Sequence, residues 1–127
     1  MLNVGVVGAG TMGTAHAHAY ARLPNVRLVG IADTDLEKAK RLADATGSTA
    51  LSQAEELISR PDIDVIDICL PTHLHRVYVE KAAAAKKQIF CEKPLARTLA
   101  DGQAILDVVE KDRKSTRLNS SHGYISY

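Results

Sequence analysis

The stretch VGVVGAGTMG at positions 4–13 decides how this chain is read. A short run of valines ends at Gly8, and Gly8, Gly10 and Gly13 then form a G-x-G-x-x-G arrangement. The segment that follows, TMGTAHAHAYARL (11–23), is alanine-rich and free of proline until Pro24, which reads as a helix. Each glycine has a task in such a strand, turn and helix. Gly8 permits the tight turn, Gly10 lets the backbone approach a diphosphate, and Gly13 lets the helix lie close to the sheet. The helix opens at Thr11 and Met12, so its unpaired N–H groups and the positive end of its dipole face the phosphates. Twenty residues after Gly13, closing a second apolar run VRLVGIAD (26–33), stands Asp33. A carboxylate at that spacing can accept bonds from both hydroxyls of an adenosine ribose. The blander reading has the glycines only turn the chain and Asp33 only cap the next helix. It is weaker, because strand, loop, helix and acid occur together.

The pattern recurs along the chain. DLEKAKRLADATG (35–47) is helical, with an acidic start and Gly47 where a C-cap belongs. A weaker strand at 48–51 precedes a short helix SQAEELIS (52–59). IDVIDICL (63–70) is a fourth strand, THLHRVYVEKAAAAK (72–86) a fourth helix, and QIFCE (88–92) a fifth strand. Thr98 with Asp101 makes a capping pair for a last helix to about Lys111. Strands alternating with helices pair in parallel through right-handed crossovers, so the fold class is α/β, an open, doubly wound parallel sheet with helices on both faces. Near-continuous apolar strands fit a sheet covered on both sides.

The chain has 127 residues with 46% hydrophobic and 24% charged, the balance of a globular protein with a real core. Net charge is +1, with one phenylalanine, four tyrosines and no tryptophan, so nothing points to nucleic acid. The first apolar run is broken by glycines and lacks a basic leader, which makes it neither a signal peptide nor a membrane span. The expected location is the cytoplasm and the expected partner a small molecule. Cys69 and Cys91 close apolar runs, where a thiol behaves as a small hydrophobe. His16 and His18 read as packing or surface residues, and no metal site is expected.

Asp33 is followed by Thr34 and Asp35, with no arginine in the loop, so two carboxylates repel the extra phosphate of NADP. NAD is the expected cofactor; Lys38 and Arg41, one helix further on, keep NADP possible. In open α/β sheets ligands lie outside the carboxyl ends of the strands. Leu70, Pro71, Thr72 and His75 in CLPTHLH should therefore border the nicotinamide half of the cofactor. On pattern alone His73 and His75 also fit exposed or capping imidazoles.

The fifth strand runs directly into Glu92, Lys93 and Pro94. The glycine loop, Asp33, the PTHLH turn and above all EKP at 92–94 resemble the nucleotide-binding Rossmann domain of the Gfo/Idh/MocA family of NAD(P)-dependent oxidoreductases, over residues 2 to about 111. The resemblance implies that Lys93 lies beside the nicotinamide and hydrogen-bonds the substrate's hydroxyl or carbonyl. A lysine placed so can polarise a carbonyl or relay a proton, provided its surroundings tune it. Glu92 then positions Lys93 or contacts the cofactor, and Pro94 fixes the turn. The implied activity is hydride transfer between nicotinamide and a hydroxyl-bearing carbon of a sugar, cyclitol or similar molecule. Two alternatives are a non-catalytic module that senses NAD and a reductase of biliverdin or dihydrodiol type. Family members continue into a second, open-faced-sheet domain, through which they usually associate as homo-oligomers. This chain is thus expected to be truncated before that domain and inactive by itself.

The last residues have another origin in this reading. DRKSTRLNSSH (112–122) resembles the translation of a widely used sequencing-library adapter, and ISY (125–127) continues it after Gly123 and Tyr124. Residues 1–111 are expected to form the dinucleotide-binding domain and 112–127 a non-native, disordered tail.

Overall fold

The computed structural model describes residues 1–92, 96–111 and 124–126, with Glu92 and 124–126 described by backbone alone. Eleven regular elements follow in order: β1 (Leu2–Val7), α1 (Thr11–Arg22), β2 (Val26–Ala32), α2 (Leu36–Thr46), β3 (Thr49–Leu51), α3 (Ala54–Ile58), β4 (Val65–Ile68), α4 (His75–Ala84), β5 (Gln88–Glu92), α5 (Leu99–Lys111) and β6 (Tyr124–Ser126). A 3₁₀ turn, Thr72–Leu74, leads into α4. The sheet order is β3-β2-β1-β4-β5-β6. The first five strands are mutually parallel, as the alternation of strands and helices requires. From β1 the chain winds outward to β3, then crosses to β4 on the other side of β1. The crevice at the carboxyl ends of β1 and β4 is therefore the topological switch point where such sheets bind ligands.

Two apolar layers sandwich the sheet. Val6, Leu28 and Ile31 face Ala17 of α1 and Ala39 and Leu42 of α2. Val7, Val29, Ile66, Ile68 and Ile89 join Leu57, Val79 and Ile105 of α3, α4 and α5 on the opposite side. Leu28 and Ile31 are three apart yet share a face. The register explains it: Val4 pairs with Leu28 but Gly5 with Gly30, so β2 carries an extra residue at Val29.

Local signals account for the helix ends. The Asp35 side chain accepts from Lys38 N–H and caps α2, and Gly47 closes that helix in the left-handed region at φ 71°. Thr98 Oγ1 accepts the Asp101 N–H at 3.1 Å, half of the expected capping pair. The Asp101 carboxylate does not complete it, because Arg76 of α4 donates to it at 3.1 Å and so ties α5 to α4.

Two expectations change. β4 is shorter than 63–70, and the fourth helix starts as a 3₁₀ turn at Thr72 and ends at Ala84. The tail expected over 112–127 lies outside the described residues except for 124–126, whose backbone pairs antiparallel with 90–92. An open edge strand offers a row of unpaired N–H and C=O groups, and a β-forming YIS segment can take them whatever its origin. No helix among the described residues is long and apolar enough to cross a membrane.

Candidate functional site

The loop between β1 and α1 is packed without spare room except where a ligand needs it. Gly8 has φ +107°, a conformation side chains rarely adopt, and a Cβ there would stand 2.4 Å from the Cys69 carbonyl oxygen. A Cβ on Gly13 would stand 1.7 Å from the Gly8 carbonyl oxygen. The turn, the start of α1 and the end of β4 thus touch backbone to backbone. A Cβ on Gly10 would meet nothing within 4 Å. Gly10 is also the N-cap of α1, with no side-chain capping bond and no acid in the first turn. Helix termini leave their first N–H groups without intrahelical partners, and acids usually compensate them. Here that positive end, at Thr11 and Met12, opens onto free space above Gly10, which suits an anion.

Asp33 is brought to the same loop. Its Oδ2 accepts the Ala9 N–H at 2.7 Å and its Oδ1 the Asp35 N–H at 2.8 Å. The capping of α2 belongs to Asp35, so Asp33 is not spent as a helix cap. A carboxylate has about four lone-pair sites, and the backbone bonds leave room for two hydroxyl donors. Asp33 and Thr34 line a cavity of about 150 Å³ with Leu70, Leu74 and Tyr78. Glu55 on its wall is hydrogen-bonded by Lys81, which holds the Glu55 carboxyl below its ordinary value and the Lys81 ammonium above its own. On the far side of Gly10 a groove of about 640 Å³ is lined by Thr11, His18, Lys38 and Arg41. The two cations that keep NADP possible therefore flank the glycine loop.

At the end of β4, Leu70 and Thr72 are half-buried and Pro71 and His73 exposed. His75 is 2% exposed, and its Nε2–H donates to the Leu70 carbonyl at 2.9 Å. Its ring therefore holds the Leu70 turn in shape from beneath. β5 pairs with β4, Cys91 opposite Ile68, so the strand that leads to Glu92 ends beside this turn. Lys93 and Pro94 lie outside the described residues, as does the Glu92 side chain. Cys91 is fully buried, whereas Cys69 is half-buried, with its thiol bonded to other polar groups. Asp67, Tyr20 and His16 escaped the sequence reading as a group. The available signal was a carboxylate inside an otherwise apolar strand, IDVIDICL, which a core must satisfy with donors.

A glycine loop at a bare helix N-terminus, a carboxylate fastened to that loop, and both at the switch point of a parallel sheet define a dinucleotide-binding α/β domain. The comparisons name its family. A sequence model of the Gfo/Idh/MocA oxidoreductase family, NAD-binding Rossmann fold, matches residues 2–120, and the chain belongs to that family. The matched range ends beyond Lys111, inside the segment that resembles an adapter. Levoglucosan dehydrogenase of Pseudarthrobacter phenanthrenivorans is 43% identical over 119 residues, 86% of this chain and 30% of that protein. Myo-inositol 2-dehydrogenase of Thermotoga maritima is 32% identical over 111 residues, 87% of this chain and 33% of that protein. Among solved structures, a levoglucosan dehydrogenase in complex with NADH and L-sorbose superposes with a TM-score of 0.81 at 40% identity, covering 87% of this chain and 32% of the other. The chain spans about a third of the length of the relatives it matches.

Proposed function

We propose that the chain is the nicotinamide-dinucleotide-binding part of a dehydrogenase acting on a sugar, cyclitol or similar small polyol. The observation that carries this reading is the pairing of an uncapped, acid-free α1 N-terminus with Asp33 bonded to Ala9 of the same loop. The first supplies donors for a diphosphate, the second acceptors for the adenosine ribose. The named relatives supply the substrate class. When bound, the nicotinamide supplies or accepts the hydride, and the protein supplies binding and orientation. Residues 8–13 hold the diphosphate, Asp33 the ribose, and Leu70, Pro71 and Thr72 border the nicotinamide half, with His75 fixing that turn. Lys93 is the group assigned to the substrate's oxygen, with Glu92 beside it in sequence. NAD is the preferred cofactor, since Asp33 and Asp35 repel a 2′-phosphate; Lys38 and Arg41 are the cations that NADP would meet.

Calorimetric titration of the chain with NADH tests the reading. Saturable binding that disappears in Asp33→Ala is expected; no heat at millimolar ligand from folded, monodisperse protein would refute it. Residues 112–127 we read as non-native. Genomic sequencing across the Lys111 codon decides this, and a tail encoded in the genome would overturn it.

A further inference from the structure

A second polar cluster lies beneath the site, on the α1 side of the sheet. Asp67 sits in β4 with its side chain wholly enclosed, between apolar layers on both faces. A buried carboxylate is costly unless donors surround it, and three converge here. Tyr20 O–H donates to Oδ2 at 2.6 Å, His16 Nδ1–H to the same oxygen at 2.7 Å, and the Cys69 thiol to Oδ1 at 3.3 Å. The His16 tautomer is assigned from its partner, since a carboxylate only accepts. His16 and Tyr20 are one helical turn apart and so share a face of α1. His16, Asp67 and Cys69 also offer ligand atoms within 4.8 Å of one another, a set that a metal ion could use. In this structure the three are joined by hydrogen bonds, His16 Nδ1 to Asp67 Oδ2 at 2.7 Å and Cys69 Sγ to Asp67 Oδ1 and to His16 Nδ1 at 3.3 Å each.

The cluster fastens α1 to β4, and Asp67 stands just before the turn that begins at Cys69. The glycine loop is fastened to β2, by Gly8 N–H to the Ala32 carbonyl at 2.8 Å and by Ala9 N–H to Asp33, and it also meets the end of β4 through the close approach of Gly8 and Gly13 to Cys69. The Asp67 cluster adds side-chain bonds to that backbone contact. The Asp33 anchor keeps the loop with the adenosine side; the Asp67 anchor keeps α1 with the Leu70 turn. We propose that Asp67 is a positioning residue which, through Tyr20 and His16, sets the spacing between the diphosphate-holding end of α1 and the Leu70–His75 turn, so that both halves of a nicotinamide dinucleotide fit at once. This inference rests on the dinucleotide reading above. Loosening the cluster leaves the loop and Asp33 moving together, so an adenosine diphosphate keeps its contacts while the full dinucleotide loses its fit.

The experiment is calorimetric titration of the 127-residue chain with NADH and, separately, ADP. Asp67→Asn and Tyr20→Phe are expected to weaken NADH about tenfold, the equivalent of one hydrogen bond to the ligand, with ADP affinity unchanged. Ile66→Val, a core trim in the same strand, serves as the stability control and is expected to leave the NADH-to-ADP affinity ratio as it is. A common loss for both ligands, no loss for either, or an equal ratio change in Ile66→Val overturns the proposal. Should Asp67→Asn fail to fold, Tyr20→Phe, which removes one hydroxyl and keeps the ring, decides alone. A wild-type chain that binds neither ligand refutes the dinucleotide reading itself, and a chain that binds ADP but not NADH in the wild type refutes the role given to the spacing.

Discussion

Gly10→Ala separates the ligand's demand on the glycine loop from the fold's. The added methyl enters space where no heavy atom lies within 4 Å, and the backbone at φ −78°, ψ −158° is one alanine adopts freely. The folded state therefore gains no clash. Alanine is a poorer N-cap than glycine, which costs roughly 0.5–1 kcal/mol. Against this, an alanine restricts the unfolded chain and returns about 0.4–1 kcal/mol. The net change in stability should lie within about 0.5 kcal/mol, a shift in Tm of no more than about 4 °C for a domain of this size. The ligand meets a different situation. A diphosphate lying on the α1 amides passes over Gly10, and a methyl in its way breaks at least one charge-assisted bond to the phosphates, about 1.5–3 kcal/mol of binding free energy or roughly tenfold to a hundredfold in affinity. Paired thermal unfolding and NADH titration measure both quantities on one sample. An unchanged NADH affinity with an unchanged Tm refutes the placement of the diphosphate.

Gly13→Ala behaves oppositely. Its Cβ would need to retreat by more than 1 Å from the Gly8 carbonyl, backbone against backbone, so a loss of at least about 2 kcal/mol in stability is expected by chemical denaturation, and a wild-type midpoint would contradict the packing described. Lys93→Ala, made in the complete reading frame, should abolish turnover while leaving cofactor affinity nearly intact; steady-state kinetics with turnover preserved would sink the assignment of Lys93 to the substrate's oxygen. Glu55→Gln tests the ion pair with Lys81. The folded-state Glu55 carboxyl titrates below its ordinary value, so the pair's contribution is present above that value and is lost as pH falls through the folded one. Both side chains are well exposed, so wild type and variant should differ by less than about 1 kcal/mol near pH 7 and converge as Glu55 is protonated in acid, and a gap that stays constant on acidification would contradict the pairing.

The parallel sheet, the glycine loop and Asp33 were legible because each rests on a fixed spacing: glycines at Gly8, Gly10 and Gly13 and an acid closing the next strand. Spacing also placed Gly47 and Asp35 correctly at the two ends of α2. It could not reveal that Asp33 bonds Ala9, since that contact joins two elements across the sheet. Nor could it reveal the Asp67 cluster: Asp64 and Asp67 look alike in IDVIDICL, yet one is exposed and one enclosed, and only the packing of α1 on β4 tells them apart. His75 was expected beside the nicotinamide although its pattern alone favoured an exposed or capping imidazole, and the structure buries it with Nε2 bonded to the Leu70 carbonyl, a contact between turn and helix that no spacing shows. The β6 strand was hidden because its pairing depends on the open edge of β5 and not on a signal of its own.

The most direct measurement is a crystal structure of the chain soaked with NAD. We expect the diphosphate on the amides of Thr11 and Met12 and the adenosine ribose hydroxyls within hydrogen-bond reach of Asp33. A dinucleotide seated elsewhere, or a ribose turned away from that carboxylate, would contradict the site.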